Sequence, residues 1–225
     1  MLYLANPSTT PIRQAMTSYE LGCIITPRQG NRLPREALWG ADNGCGPGKN
    51  GMIGQGFPGY EPFLGMLQDH ADYADDCLFA VAPDVVGDAD GTLKRSKWML
   101  EWIRYAGYPA ALAAQDGLEN LTVPWDDFDA LFIGGSTAWK LGAAARRLIA
   151  EANRRNKWVH MGRVNTLKRL RYAATVGCHS VDGTFLTFGP DINLPRLLRY
   201  LRIVNTQPTL WASSWPPPLP LTVAA

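Results

Sequence analysis

The sequence predicts an α/β protein built as a single, trimmed (β/α)8 barrel of the TIM type. Eight short apolar segments lack polar alternation, which is typical of strands buried on both faces of a parallel sheet. Most of them are separated by stretches of helical periodicity, as in βαβ units. Five end on a polar or glycine residue, and a parallel barrel gathers such residues at one end. A length of 225 residues suits one domain but is short for a complete barrel, so some βα units must be trimmed.

Each element follows from its local pattern. Strands are predicted at 2–5, 21–26, 37–41, 77–82, 109–114, 130–133, 157–161 and 178–182. Helices are predicted at 60–73, 91–106, 138–155, 165–175 and 194–202. The third helix is amphipathic, with one apolar side formed by Trp139, Leu141, Ala145, Leu148, Ile149 and Ala152. Pro195 falls in the first turn of the last helix, where its missing N–H costs little.

Two segments lie outside this regular pattern. Residues 43–59 form a glycine-rich loop without a GxxxxGK[ST] signature, which favours a flexible lid over a phosphate-binding loop. Residues 207–225 contain WPPPLPL and cannot form a regular helix or a central strand. The predicted division is a catalytic barrel domain at 1–206 and a Pro/Trp-rich tail at 207–225, which either packs as an extended strap or is a loose end.

Composition excludes several classes of protein. No apolar run approaches the roughly 18 to 20 residues of a membrane span, and the N-terminus lacks a basic region followed by a long apolar one. We therefore expect a cytoplasmic protein of a bacterial or phage-infected cell, without a membrane partner. The four cysteines are scattered, with no CxxC pair and no histidine at a metal-ligand spacing, so reduced thiols and no metal site are expected. No motif implies a cofactor.

Charge is distributed unevenly along the chain. Residues 1–151 carry 12 Lys/Arg and 18 Asp/Glu, whereas residues 152–225 carry 10 and 2. No acid occurs between Ala152 and Val181, a segment that contains Arg154, Arg155, Lys157, Arg163, Lys168, Arg169 and Arg171. Such a block can bind a polyanion and release its counterions. An ordinary solvated helix face is the alternative, although the block directly precedes a candidate catalytic aspartate.

Three aspartates follow apolar strands and are the candidate catalytic groups. Asp182 in SVDG ends a predicted strand, and Asp42 in ADNG and Asp84 in APDV follow closely after one. A carboxylate in this position can act as nucleophile, general base or metal ligand, and singly each could equally be a turn or helix-capping residue. Three acids at the ends of different strands favour one shared site. Close carboxylates would push their pKa values apart, so that one acts ionised and another protonated.

Other polar groups lie beside these acids. Gln115 in AAQDG offers an amide donor and acceptor suited to the edge of a nucleobase. Gly134 and Gly135 in FIGG expose a backbone edge that suits a planar ligand. His160 and His179 flank the end of the basic segment; His160 could contact substrate or be a core histidine.

The ordered motifs resemble those of a known superfamily. LGCIITPRQG, ADNG, VAPDV, AAQDG, FIGG, VHMGR and GCHSVDGT, spread over roughly residues 20–200, resemble the tRNA-guanine transglycosylase superfamily in order and spacing. The chain is most similar to the short phage- and bacterium-associated relatives that act on DNA, including 7-deazaguanine DNA-modification proteins. The resemblance implies a (β/α)8 barrel, in agreement with the strand count.

The resemblance also implies roles for residues. Asp182 resembles the aspartate nucleophile that attacks the anomeric carbon, and Asp42 resembles the acid/base aspartate, although DNG stands where the family has DSG. Asp84, Gln115 and Gly135 resemble the groups that hold a purine-like base. The family's C-terminal zinc site is absent, and His179 stands where many relatives carry an acid.

The expected activity is therefore cleavage of the N-glycosidic bond of a nucleobase in DNA rather than tRNA, with exchange for a free 7-deazaguanine base. The DNA would be single-stranded or a duplex with the target base flipped out. Arg163, Lys168, Arg169 and Arg171 would hold its phosphates. A hydrolytic DNA glycosylase acting on a modified base, and a non-catalytic nucleic-acid-binding barrel, are the alternatives.

Overall fold

The computed structural model describes residues 1–27, 32–46 and 56–206. Within these ranges eight parallel strands form one closed barrel, in which β8 pairs back with β1. The strands are β1 (Leu2–Ala5), β2 (Gly22–Ile25), β3 (Trp39–Ala41), β4 (Cys77–Val81), β5 (Ala110–Ala114), β6 (Ala130–Ile133), β7 (Trp158–Met161) and β8 (Ser180–Asp182). The predicted α/β barrel is confirmed, and every predicted strand overlaps an observed one.

Side chains on the strands alternate between the barrel interior and the layer beneath the helices. On β4, Phe79 and Val81 join the interior cluster, while Ala80 packs in the outer layer. On β5, the interior positions are Ala111 and Ala113. Because these alanines are small, the interior near β5 leaves space towards the carboxyl ends of the strands. Larger side chains fill the layer between strands and helices, where most of the core lies.

Seven α-helices surround the barrel in the described residues. They are α1 (Thr10–Thr17), α2 (Tyr60–Asp69), α3 (Ala89–Tyr105), α4 (Thr137–Lys140), α5 (Ala143–Arg154), α6 (Leu167–Val176) and α7 (Pro190–Asn205). Short 3-10 helices occur at Ala71–Asp76, Leu118–Asn120 and Trp125–Asp127. The connection between β5 and β6 holds only two of these 3-10 helices, so at least one βα unit is trimmed as the chain length required.

The predicted and observed helices differ mainly in three places. Helix α1 was not predicted. The helix predicted at 138–155 is two helices, because Gly142 is extended (ψ 173) and serves as the N-cap of α5. The last helix begins at Pro190 rather than near 194, so Pro195 lies inside it. The helix continues past this proline because α7 buries Leu194, Leu197, Leu201 and Val204 against the core.

Two sequence predictions fall partly or wholly outside the described residues. The tail 207–225 lies entirely outside them, as do residues 47–55 of the glycine-rich loop. None of the helices in the described ranges combines the length and the apolar character that a membrane span requires.

Candidate active site

A cavity of about 250 Å³ opens at the carboxyl ends of the strands. Its wall includes six of the residues singled out from the sequence: Asp42, Asp84, Gln115, Gly134, Arg163 and Asp182. Val81, Ala113 and Phe132 add apolar surface from β4, β5 and β6. The three strand-end acids thus line one cavity, as expected of a parallel barrel, which points the carboxyl ends of all its strands at one face.

Asp182, the last residue of β8, is held by one donor on each carboxylate oxygen. The ring Nε2 of His160 lies 3.0 Å from Oδ2, and the backbone N–H of Arg163 donates to Oδ1 at 2.9 Å. Burial by itself raises the pKa of Asp182, but His160, the Arg163 N–H and the charge of Lys140 outweigh it and hold the pKa below its usual value. The carboxylate is therefore ionised and fixed in orientation at neutral pH.

His160 supports Asp182 from inside the barrel and does not line the cavity. Its ring is fully buried, 4.9 Å from the Phe79 ring and 4.7 Å from that of Phe132. Its Nδ1 lies 2.8 Å from the Oγ of Ser180, which accepts a hydrogen bond from the indole Nε1 of Trp158 at 2.8 Å. Of the two sequence interpretations, the structure favours the satisfied core histidine over a substrate contact.

This hydrogen-bond chain connects Trp158 to Asp182 through His160. An indole N–H can only donate, so Trp158 donates to the Ser180 hydroxyl, whose oxygen also lies against Nδ1 of His160. An ionised carboxylate can only accept, so Nε2 of His160 carries a proton and donates it to Asp182. Neither Ser180 nor Trp158 was singled out from the sequence; the signal was their even spacing with Asp182 and His160, which puts all four on the inward faces of β7 and β8.

Asp42 has the opposite electrostatic environment. It directly follows β3, and its Oδ1 accepts a hydrogen bond from the Gly44 N–H at 2.7 Å. Burial, together with the charges of Asp182 and Asp84, raises the pKa of Asp42 from 3.8 to about 7, although the Gly44 N–H opposes this. A substantial part of Asp42 is thus protonated near neutral pH, while Asp182 is not.

Asp84 belongs to a buried network of amides. Its Oδ1 accepts from the Asn43 side chain at 3.0 Å, and its Oδ2 accepts from Nε2 of Gln115 at 2.5 Å. Oε1 of Gln115 accepts from the Gly87 N–H at 3.0 Å. Burial raises the pKa of Asp84, and the hydrogen bonds from Asn43, Cys45 and Gln115 oppose that increase. Most polar atoms of this wall therefore already have a partner within the protein.

Asn43 was missed by sequence reasoning. Its side-chain nitrogen also donates to the Ala82 carbonyl at 2.9 Å, and its Oδ1 accepts from the Cys45 N–H at 2.7 Å. The amide thus ties the end of β3 to the end of β4. The DNG sequence gave a signal, but Asp-Asn-Gly is also a common turn sequence.

The backbone N–H and carbonyl groups of Gly134 and Gly135 already have hydrogen-bond partners within the protein, which the sequence did not predict. Both N–H groups donate to the Ala114 carbonyl, at 3.0 and 3.1 Å, and both carbonyls accept from the guanidinium of Arg163. A Cβ at Gly134 would lie 2.7 Å from Nε2 of Gln115, and one at Gly135 would lie 2.5 Å from the Trp139 ring. Close packing against Gln115 and Trp139 therefore favours glycine at both positions.

Arg163 supports the site in addition to lining it. Its backbone lies in the left-handed region (φ 61), which directs its N–H at Asp182. The preceding carbonyl, of Gly162, accepts from the buried Nζ of Lys140 at 2.6 Å. Burial, followed by the charge of Arg163, lowers the pKa of Lys140 to about 8. Arg163 was expected to hold a phosphate; in the structure Nη2 of its guanidinium donates to the glycine carbonyls.

The basic segment is divided between the two ends of the barrel. Arg154 and Arg155 pair with Glu151, and Lys157 donates to the Phe128 carbonyl at 2.6 Å, all near the amino end of β7. The cationic side chains of α6 have no ion pair within the described residues; they are Lys168, Arg169 and Arg171. This second group, like Arg163, lies after the carboxyl end of β7, on the side of the cavity.

His179 lies away from the cavity, so the structure does not bring it together with the other residues that were predicted to bind substrate. It precedes β8 and so lies at the amino end of the barrel, opposite to the cavity. Its Nδ1 accepts from the Val159 N–H at 2.9 Å, and its ring stacks on Trp158 at 5.1 Å. Burial and the chain's N-terminal ammonium group lower the pKa of His179 to about 4. In the sequence His179 lies only three residues before Asp182, but His179 precedes β8 and Asp182 ends it, so the length of the strand lies between them.

Comparison with known proteins shows the fold alone. The sequence matches no protein-family model and no curated protein. A chain of the Amycolatopsis orientalis BexX/CysO complex is similar in structure, with a TM-score of 0.53 and 14% identity over 92% of this chain and 91% of that chain.

Two further similarities are weaker. They are to the Bacillus subtilis YkuI protein with an EAL domain (TM-score 0.44, 17% identity, covering 87% of this chain and 47% of that chain) and to tryptophan synthase from M. tuberculosis (TM-score 0.45, 14% identity, 90% and 89%). None of the three is a tRNA-guanine transglycosylase, so the family resemblance stays a prediction from the sequence motifs.

Proposed function

We propose that this protein is an enzyme that cleaves the N-glycosidic bond of a nucleobase in DNA, with Asp182 as nucleophile and Asp42 as general acid and base. One observation carries the proposal. Within a single cavity, one carboxylate is held ionised by two N–H donors, while a second has its pKa raised to about 7 and so keeps a proton in about half of the molecules at that pH. Two carboxyl groups whose environments push their pKa values apart are the arrangement that glycosidic cleavage uses. The assignment of a nucleobase in DNA as the substrate comes from the motif resemblance.

The residues divide the reaction between them. An oxygen of Asp182 forms a bond to C1′ while the bond from C1′ to the base nitrogen breaks, and its electron pair goes to the base. Asp42 delivers a proton to the departing base; its Oδ2 is suited to this because Oδ1 accepts from Gly44. The products are a free base, an ionised Asp42 and a deoxyribosyl ester of Asp182.

The overall reaction depends on which molecule then attacks C1′ of the deoxyribosyl ester. In exchange, a nitrogen of an incoming 7-deazaguanine attacks C1′, the Asp182 carboxylate leaves, and the proton of the incoming base returns to Asp42. In hydrolysis, water takes the place of the incoming base and leaves an abasic site. We place exchange first, because Asp84 and Gln115 line the cavity together, as the family resemblance implies for a base-holding wall.

Hydrolysis remains the second candidate because of a specific observation. The wall atoms that would read an incoming base already bond to one another: Asp84 to Asn43 and Gln115, and the Gly134–Gly135 carbonyls to Arg163. A base could still use the second N–H of Gln115 or remaining carboxylate lone pairs.

Thermal protection separates the two reactions. A free base that binds the wall raises the melting temperature by mass action even without DNA. In exchange, free 7-deazaguanine therefore shifts the melting temperature of the wild type, and Gln115→Ala abolishes the shift, because one lost partner costs about 1–3 kcal/mol, or one to two decades in affinity. Base release from DNA without any such shift would exclude exchange and leave hydrolysis.

The activity itself is tested by incubating candidate DNAs with the protein, with and without free 7-deazaguanine bases. Mass spectrometry of the released bases and of the digested nucleosides then identifies the reaction. Exchange yields a free base together with a 7-deazaguanine nucleoside in the DNA, and hydrolysis yields a free base and abasic sites. Intact DNA under every condition, while the protein binds it, would support the non-catalytic barrel instead.

A further inference from the structure

Two large apolar side chains project into water on the cavity side of the barrel. Phe188 is 75% exposed and Ile192 is 62% exposed. Phe188 belongs to the connection between β8 and α7, and Ile192 lies in the first turn of α7. This connection follows Asp182 directly, so it lies at the carboxyl end of the barrel together with the cavity. We call these two residues the apolar tip.

The backbone beneath the apolar tip is held in place. The side-chain nitrogen of Asn193 donates to the carbonyls of both Phe185 and Phe188, at 3.2 and 2.5 Å. The Thr184 N–H donates to Oδ1 of Asn165 at 2.7 Å, which connects this loop to the neighbouring one that follows β7 and lines the cavity. Phe188 is thus presented to solvent by a fixed backbone.

A cationic stripe continues from the tip along α7. Ile192, Arg196 and Arg199 are spaced i, i+4 and i+7, so they share one face of the helix, and all three are exposed. Neither arginine has an ion pair within the described residues. Helix α6, which packs against α7, adds Lys168 and Arg171, and Asp191 is the one acid in α7. Apolar surface next to unpaired cations complements DNA, whose bases are apolar on their faces and whose backbone is anionic.

The position of the cavity explains why such a tip is needed. Asp182 lies in a concave cavity at the barrel end, where a base stacked inside a duplex cannot reach it, so the nucleotide must leave the stack. Phe188 follows Asp182 by six positions in the chain, a span of at most about 20 Å. That is well within one helical turn of DNA, about 34 Å.

We propose that Phe188, with Ile192 beside it, enters the base stack of duplex DNA at the position that the target nucleotide vacates. Arg196 and Arg199 then hold phosphates of the same duplex. The inference rests on the proposed function and extends it, because it specifies a duplex substrate. Apolar side chains that insert between base steps are an established way of stabilising unstacked DNA.

Phe188→Ala is the test, with two matched variants. Phe188→Trp keeps an aromatic ring at the tip. Tyr105→Ala removes another aromatic side chain, 90% exposed, from the end of α3 at the opposite end of the barrel. Because both positions are exposed, none of these three changes threatens folding. Fluorescence is measured on duplexes that carry 2-aminopurine beside each of the four bases in turn. Base release is measured on the DNA from which the release assay detects a free base, both as a duplex and as single strands.

We expect the wild type, Phe188→Trp and Tyr105→Ala to raise 2-aminopurine fluorescence in at least one duplex, and Phe188→Ala to lose that rise. Base release from duplex by Phe188→Ala should fall about tenfold to a hundredfold, since unstacking costs a few kcal/mol, while release from single strands stays within about twofold. Equal release from duplex by Phe188→Ala and wild type, or an equal loss on duplex and single strands, would overturn the proposal that Phe188 enters the base stack. Wild-type activity confined to single strands would overturn it as well. If the wild type releases no base from any DNA, the proposed function fails, and the fluorescence measurement still decides whether Phe188 enters the stack.

Discussion

The raised pKa of Asp42 leads to a quantitative prediction for the pH dependence of base release. With a pKa of about 7, Asp42 is about half protonated at pH 7 and about one-tenth protonated at pH 8. If its proton is delivered to the departing base, single-turnover base release should fall about fivefold from pH 7 to pH 8 and about tenfold from pH 8 to pH 9. The low pKa of Asp182 keeps the nucleophile ionised down to acidic pH, so the rate should be flat from about pH 5 to pH 6.

Asp42→Asn is the matched variant, because its amide oxygen can still accept the Gly44 N–H. It should lower the plateau and remove the decline above pH 7, whereas Asp90→Asn, an exposed residue paired with Lys94, should leave the profile unchanged. A decline that persists in Asp42→Asn, or a wild-type rate that rises through pH 7, would refute the assignment of Asp42 as the acid. The measurement is single-turnover release across pH 5 to 9 at constant ionic strength.

The same shift has a consequence for stability. The folded pKa of Asp42 lies above the 3.8 of the unfolded chain, so the protonated form favours folding. This contribution is fully present below about pH 4 and is lost as the pH rises through about 7. Asp84, whose pKa is also raised, acts in the same direction. The melting temperature of the wild type should therefore fall between pH 4 and 7 relative to that of Asp42→Asn.

Three further predictions address the nucleophile, its support and the basic helix. Asp182→Asn should fold, by circular dichroism and thermal melting, and lose base release by several orders of magnitude; near-wild-type turnover would remove Asp182 from the mechanism. Ser180→Ala leaves Nδ1 of His160 without its partner and should cost about 1–3 kcal/mol of stability. ¹⁵N NMR should show Nε2 of His160 protonated in the wild type, and an Nε2 without its proton would contradict the hydrogen bond to Asp182. Neutralising Lys168, Arg169 and Arg171 together should reduce the slope of log K against log salt for DNA binding by up to about 2.7. Neutralising Arg154, Arg155 and Lys157, at the other end of the barrel, should leave it unchanged; equal effects would mean that α6 is an ordinary solvated face.

The barrel was predictable because its strands carry a strong signal. Short apolar runs without alternation identify strands buried on both faces, and parallel strands then place Asp42, Asp84 and Asp182 at one end by geometry alone. The boundaries of the helices were less predictable. The apolar period of residues 138–155 continues through Gly142, where the backbone turns, so periodicity alone cannot show the break between α4 and α5.

The roles of individual polar residues were harder to predict than their location. His160 and His179 are both strand-associated histidines in the sequence. Only the register of β7 and β8 shows that His160 faces the interior beneath Asp182, while His179 lies at the opposite end. Arg163 belongs to a basic run, but its left-handed backbone and its contacts with Gly134 and Gly135 depend on long-range packing. Composition and spacing carry no information about such contacts.

The central claim, that Asp182 becomes covalently attached to the deoxyribose, can be measured directly. Protein mixed with a DNA from which it releases a base is denatured in acid within the first turnover, digested, and analysed by mass spectrometry for a nucleic-acid adduct. The proposal predicts an adduct on the peptide that contains Asp182, at the aspartate itself, and none in Asp182→Asn. Base release accompanied by an adduct on another residue, or undiminished release by Asp182→Asn, would contradict the account.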